Sequence, residues 1–222
     1  MIKIDRCSVP PASLAIESEK TCGSYNEADV VRQLKEDSND KCYICELQEL
    51  QYPQVEHLKP HFNRARKELV FDWDNLFYVC PHCNNVKNER KYDDKILDCC
   101  IVDPEKVLEH IYEDNHVQVH SKSEDEITQM TADLIYNCFE KTNTGIREQA
   151  CQLKIKKLSE TMGVLYRTLE NYKKNPDSKR YQRSLREMLS RKSIFAAFKR
   201  HYVRAHIKDY PNLKEYVSYY VE

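Results

Sequence analysis

Four cysteines stand in two knuckles, Cys42-Tyr43-Ile44-Cys45 and Cys80-Pro81-His82-Cys83, with 34 residues between Cys45 and Cys80. Thiolates bind zinc tetrahedrally at four positions, so two C-x-x-C pairs can close one site, and a site filled by four sulfurs is structural. Chemistry must then come from residues between and just after the knuckles. These are Glu56 and His57 in the run Val55-Glu56-His57-Leu58, then His61, then Asn75 ahead of Leu76-Phe77-Tyr78-Val79, then Asn84 directly after the last cysteine. An imidazole of ordinary pKa near 6.5 accepts a proton at neutral pH. Carboxylate and carboxamide oxygens suit a hard divalent cation. Together such groups can activate water for a metal-assisted hydrolysis.

Each residue also has an ordinary reading. His57 could be a structural histidine or a zinc ligand. Glu56 alternates with His57 along a strand, so the two side chains start on opposite faces, and the acid could simply orient a basic group. Asn84 could cap a helix, and Asn75 is a common turn former before a strand. His61 could ligate an ion, touch phosphate or protonate a leaving group. His82, inside a knuckle, is expected to face solvent or bond to backbone. Lys87 and Arg90 could grip phosphate or be merely solvated. Trp73, the only tryptophan, is expected to anchor the hairpin, with base stacking as the rival role.

The elements that would position these groups are legible in the pattern. Ser24-Tyr25-Asn26-Glu27 has capping-box spacing before a helix over about 26–38. Residues 55–58 and 76–79 read as strands of an antiparallel hairpin, with Arg64, Arg66 and Lys67 in the intervening loop. A helix over 84–90 follows. Pro104 starts a short helix through His110, 111–125 reads as a polar hinge or exposed loop, and Ser123-Glu124-Asp125-Glu126 caps the next helix. A long helix through Ala150, Leu158 and Tyr172 ends at Asn175-Pro176, and one or two more follow before Pro211.

With 222 residues and 41% hydrophobic content, the chain can bury a real core. No eighteen-residue apolar run and no apolar leader segment is found, which points to a cytoplasmic protein. In that reducing setting Cys7, Cys22, Cys99, Cys100, Cys138 and Cys151 are read as buried or inert thiols. The net charge of −1 hides a division: residues 1–150 carry 18 basic against 29 acidic side chains, and residues 151–222 carry 17 against 7. The basic end could meet nucleic acid, be a solvated helix face, or receive an acidic partner. Eight tyrosines after residue 160 are interleaved with basic residues and read mostly as helical core with a polar rim, with nucleic-acid stacking as the rival role.

The order C-x-x-C, Glu56-His57-Leu58-Lys59-Pro60-His61, Trp73-Asp74-Asn75-Leu76 and C-x-x-C-Asn84-x-x-Lys87 resembles the HNH endonuclease family over residues 41–98. The resemblance implies an α+β fold, a zinc-braced ββα-metal core embedded in a mostly α-helical chain. Residues 1–40 would be an N-terminal arm and helix, 41–98 the nuclease core, and 99–222 a helical region for docking a partner. It implies His57 as general base, Asn75 as the residue holding the loop beneath it, and Glu56 with Asn84 holding one Mg²⁺ or Mn²⁺. His61 joins them as a further catalytic candidate, and Cys42, Cys45, Cys80 and Cys83 would hold structural zinc. Many family members carry aspartate where this chain has Glu56. A narrower likeness in Ile2-Lys3-Ile4-Asp5-Arg6 and Pro10-Pro11-Ala12-Ser13-Leu14 is to the PtuB family of HNH effectors in Septu and retron-associated antiphage systems. That likeness implies DNA as substrate with RNA left open, a PtuA-like ATPase as partner, and in retron-linked members a reverse transcriptase and its DNA. No membrane partner is expected. Two other functions fit the same residues: a zinc-knuckle binding or scaffold module without catalysis, and a stand-alone restriction-type nuclease.

Overall fold

Leu76-Phe77-Tyr78-Val79 is apolar at every position and becomes a fully buried strand. In the computed structural model, which describes residues 1–219, strand β2 (Leu76–Val79) pairs antiparallel with β1 (Gln54–His57), setting Gln54 opposite Val79 and His57 opposite Leu76. Helix α1 (Ala12–Ser18) and helix α2 (Ala28–Asp37) lie on one side, where Leu14, Val30 and Leu34 pack with Trp73, Leu76 and Tyr78. The capping box expected at 24–27 does not form. Glu27 is the N-cap without a side-chain cap bond, and Ser24 Oγ binds the Asn26 side chain instead.

Helix α3 (Pro81–Lys87) begins three residues before the expected start. The cause is local: Cys80 is the N-cap and its sulfur accepts from Cys83 N, while Pro81 supplies a first helical residue that needs no N–H partner. Asn84 is therefore one turn inside the helix and does not cap it. Asn84 and Lys87, three residues apart, share the face that meets β1.

The rear half is not all helix. Helix α4 (Pro104–Val107) stops after four residues, and the chain continues as β3 (Leu108–Glu113) and β4 (His116–Ser121), an antiparallel hairpin where a helix end and a loop were expected. Its two-residue turn, Asp114-Asn115, has both residues left-handed (φ 50° and 63°), the turn type that matches strand twist. The alternation His116-Val117-Gln118-Val119 buries the valines and exposes the polar residues. Helix α5 (Glu126–Glu140) packs on β4. Asp125 is its N-cap, accepting from Thr128 N, so the cap sits two residues beyond Ser123. Helices α6 (Gly145–Lys174), α7 (Lys179–Met188) and α8 (Ala196–Ala205) follow, and a 3₁₀ segment over Pro211–Val217 comes after them.

The fold is mixed α+β. One buried cluster runs from Met1 and Ile4 through the cysteines and Phe77 to Phe139, Leu165, Phe198 and Val217, so arm, hairpin and rear helices share a core. The rear tyrosines divide between core and rim: Tyr172 and Tyr210 are buried, Tyr166 packs 4.7 Å from Tyr202, and Tyr219 takes Arg204 at 4.9 Å. Tyr220 lies outside the described residues. Among the described residues no helix is long and apolar enough to cross a membrane.

Buried charges come in matched sets. Glu46 accepts from the Met1 amine at 3.0 Å and from Lys41 at 3.2 Å. Burial pushes its carboxyl up, but that amine, Lys41 and His110 outweigh it and hold the group well below the usual carboxylate range. Glu105, with no exposed surface, takes Arg200 at 2.9 Å, Arg204 at 2.6 Å and Arg191 at 3.3 Å. Removing one member of a buried set leaves the others uncompensated, at a cost of about 3–5 kcal/mol. Glu105→Gln is therefore expected to lower the melting temperature by about 6 °C or more in thermal denaturation, and a shift under about 2 °C would contradict this account.

Candidate active-site cleft and sulfur cluster

The two knuckles close on each other. Cys42, Cys45, Cys80 and Cys83 are buried with their sulfurs all within 4.8 Å of one another, and Cys45 Sγ lies 4.0 Å from Cys80 Sγ. A tetrahedral zinc with bonds of about 2.3 Å separates its sulfurs by about 3.8 Å, so the cluster has the donors and the spacing to hold a zinc ion. Four thiolates on one divalent ion carry excess negative charge. The chain supplies the balancing cation: Lys154 of α6, itself buried, donates to Cys83 Sγ at 3.0 Å and to the Cys138 carbonyl at 3.3 Å. Of the other thiols, Cys99, Cys138 and Cys151 are buried, Cys7 and Cys100 half-buried, and Cys22 exposed. His82 bonds the Cys138 carbonyl at 3.1 Å, the backbone role open to it in sequence.

A polar cleft of about 430 Å³ opens between β1, its following loop and α3, lined by Tyr25, His57, His61, Phe62, Asn84 and Asp93 among others. His57 and Asn84 thus face one space. His57 Nε2 lies 3.0 Å from the Val70 carbonyl, which can only accept, so Nε2 carries the proton and Nδ1 is the nitrogen left to accept one. Burial, opposed by that bond and aided by nearby His61 and Lys87, holds the imidazole down to about 4. It is uncharged at neutral pH. Its ring is wedged edge-on between Tyr25 and His61, each centroid 4.5 Å away. Two residues before Tyr25 the chain at Gly23 passes so close to the Glu17 carbonyl that a Cβ would sit 1.8 Å from its oxygen.

His61 has the complementary tautomer. Its Nδ1 accepts from Arg64 N at 2.9 Å, leaving Nε2–H as a donor. Burial lowers its pKa, so it too is neutral near pH 7. That arrangement makes His61 a hydrogen-bond donor and leaves no ring lone pair for an ion.

Glu56 is engaged on both oxygens, with Lys87 Nζ at 2.6 Å on one and the Tyr43 hydroxyl at 2.9 Å on the other, and it is 6% exposed. Burial raises its carboxyl despite Lys87. Lys87, which also donates to the His57 carbonyl at 3.0 Å, is spent internally and does not reach out to a ligand. Arg90 is exposed and lines the cleft. Asn84 Nδ2 donates to Gln54 Oε1 at 2.8 Å, which leaves Oδ1 as the oxygen for an ion. Asp93, beyond the last motif residue Lys87 and marked by no spacing in the sequence, lines the cleft with a carboxylate that has no ion pair among the described residues.

Asn75 stays out of the cleft. It accepts from Lys59 N at 2.8 Å and donates to the carbonyls of Lys59 and Leu69 at 3.0 and 3.1 Å, so one buried carboxamide ties both ends of the loop under His57. Trp73 is buried, its indole donating to the Cys7 carbonyl at 2.8 Å, with the Arg6 guanidinium 4.9 Å from its ring.

Two outcomes are expected. Elemental analysis of the purified chain should give one zinc per molecule, and Cys80→Ser should lose the metal together with the cooperative melt. Asn75→Asp, which turns an oxygen toward two carbonyls, should cost about 2 kcal/mol or more in urea unfolding, more than Asn75→Ala. No protein-family model and no curated protein matches this chain.

Proposed function

We propose that this chain is a metal-dependent HNH-type endonuclease in which β1, β2 and α3 form the ββα core and a divalent ion sits in the cleft beside His57. The observation that carries the reading is the placement of His57: its ring is fixed by Val70 through Nε2, which leaves Nδ1 to take a proton in a cleft shared with Asn84. Hard oxygen donors suited to Mg²⁺ or Mn²⁺ are at hand in Asn84 Oδ1, the Asp93 carboxylate and the remaining lone pairs of Glu56. When bound, such an ion would neutralise charge growing on the phosphoryl oxygens.

The chain's own groups do the rest. His57 takes the proton from water as the water oxygen bonds to phosphorus and the ester P–O bond breaks, the leaving oxygen collecting its proton from solvent. His61 donates Nε2–H to a phosphoryl oxygen. Asn75 keeps the loop that carries His61 in place, and Arg90 meets the phosphate backbone. DNA is the substrate we favour, with RNA as the alternative. The role as an antiphage effector acting with a PtuA-like ATPase, and in retron-linked settings with a reverse transcriptase, rests on the sequence resemblance.

One observation favours a different reading. Lys87 already neutralises Glu56, as it would in a zinc-knuckle binding or scaffold module without catalysis. The two separate by assay of the zinc-loaded chain on plasmid DNA and on RNA with Mg²⁺, Mn²⁺ or EDTA. Cleavage should need the divalent ion, and His57→Ala should slow it by about 10²- to 10⁴-fold. Hydrolysis that persists in both EDTA and the variant would sink the nuclease mechanism.

A further inference from the structure

The loop after β1 contains three consecutive residues in left-handed backbone, Phe62 (φ 46°), Asn63 (φ 52°) and Arg64 (φ 68°). Residues bearing a Cβ seldom adopt that region, and they stay there only where their surroundings hold them. Here the hold is dense. Arg64 N donates to His61 Nδ1, Ala65 N to the Phe62 carbonyl at 3.1 Å, Arg66 N to the His61 carbonyl at 3.1 Å, and the Arg64 guanidinium to the Gly23 carbonyl. The outcome is a phenyl ring 51% exposed on the wall of the cleft, although burial favours such a ring and Val70 of the same loop is buried.

The neighbours of that ring are telling. The Arg66 guanidinium, 6.0 Å from its centroid, is held by both oxygens of Asp94 at 2.9 Å, and the exposed Arg90 lines the same cleft. A flat apolar face beside an exposed cation and hydrogen-bonding imidazoles suits one nucleotide: the ring takes a base and Arg90 takes a phosphate. Trp73, a candidate for stacking in the sequence, is buried and cannot serve.

We propose that Phe62 is a base-stacking platform, on which an unstacked base rests while the adjoining phosphodiester enters the cleft beside His57 and His61. The proposal rests on the nuclease reading for its ligand class. It assigns single-stranded or locally unpaired nucleic acid as the preferred substrate, because a base inside a duplex has both faces covered by its neighbours.

The test uses the full zinc-loaded chain carrying His57→Ala, so that binding is read without cleavage, and a single-stranded oligonucleotide containing 2-aminopurine. Binding should change the probe's fluorescence through stacking. Adding Phe62→Ala should abolish that change and weaken affinity roughly 5- to 150-fold, Phe62→Trp should restore both, and affinity for a fully paired duplex should move little. Phe62→Leu keeps bulk without a π face and should behave like the alanine variant. Unchanged fluorescence and affinity in Phe62→Ala, or full retention in Phe62→Leu, would overturn the platform while leaving the nuclease reading intact. Loss of that reading has a different signature: a chain with native His57 that stacks the probe yet hydrolyses nothing with Mg²⁺ or Mn²⁺.

Discussion

Four buried sulfurs meeting at one point set the geometry from which the rest of the front half follows. Their convergence brings residues 42–45 against 80–83 and closes the 34-residue segment between them into a loop, inside which lie β1, the cleft wall and β2. Closing such a loop costs chain entropy, and a metal that binds only the closed form stabilises it directly. The same cluster fixes the first turn of α3, because Cys80 is its N-cap and Cys83 lies in that turn. Lys154 then joins the long rear helix to the cluster through an N–H···S bond, so the four sulfurs and the distant helix are parts of one arrangement.

Charge explains why the two halves of the chain belong together. The acidic front and the basic rear answer each other inside the protein: Glu105 gathers Arg191, Arg200 and Arg204. Part of the rear's positive charge is thus spent on the front half of the same molecule. At the cleft the same logic governs Glu56, whose charge is matched by Lys87, so that it keeps only its remaining lone pairs for a ligand and the rest of the polar capacity lies with His57, His61, Asn84, Asp93 and Arg90. Two neighbouring imidazoles are held in opposite tautomers by two backbone groups, a carbonyl at Val70 and an amide at Arg64. One ring is left able to accept a proton and the other able to donate a hydrogen bond, a division of labour made by the loop's conformation.

Much of this was legible in the residues. The knuckle spacing marked a four-sulfur site, Leu76–Val79 was apolar enough to be a buried strand, and the asparagine before it binds loop backbone on both sides. The β3–β4 hairpin was signalled too, by Asp114-Asn115 between alternating segments, but Pro104 and the polarity of 111–125 pointed to helix and loop instead. Cys80 outranked Asn84 as helix cap because a residue preceding Pro at the first helical position is the stronger start.

The sequence by itself determined which residue types could do chemistry, the pairing of knuckles, and the short-range elements, since these depend on spacing and on neighbours a few residues away. Only the tertiary structure decided what each group has left to offer: that Glu56 is matched by Lys87 and Tyr43, that Phe62 stands in the cleft while Trp73 is buried, and which nitrogen of each histidine is free. For Glu56 and His57 the deciding partners lie 13 to 31 residues away, and for His61 the partner is an amide three residues on that αL backbone brings round to the ring.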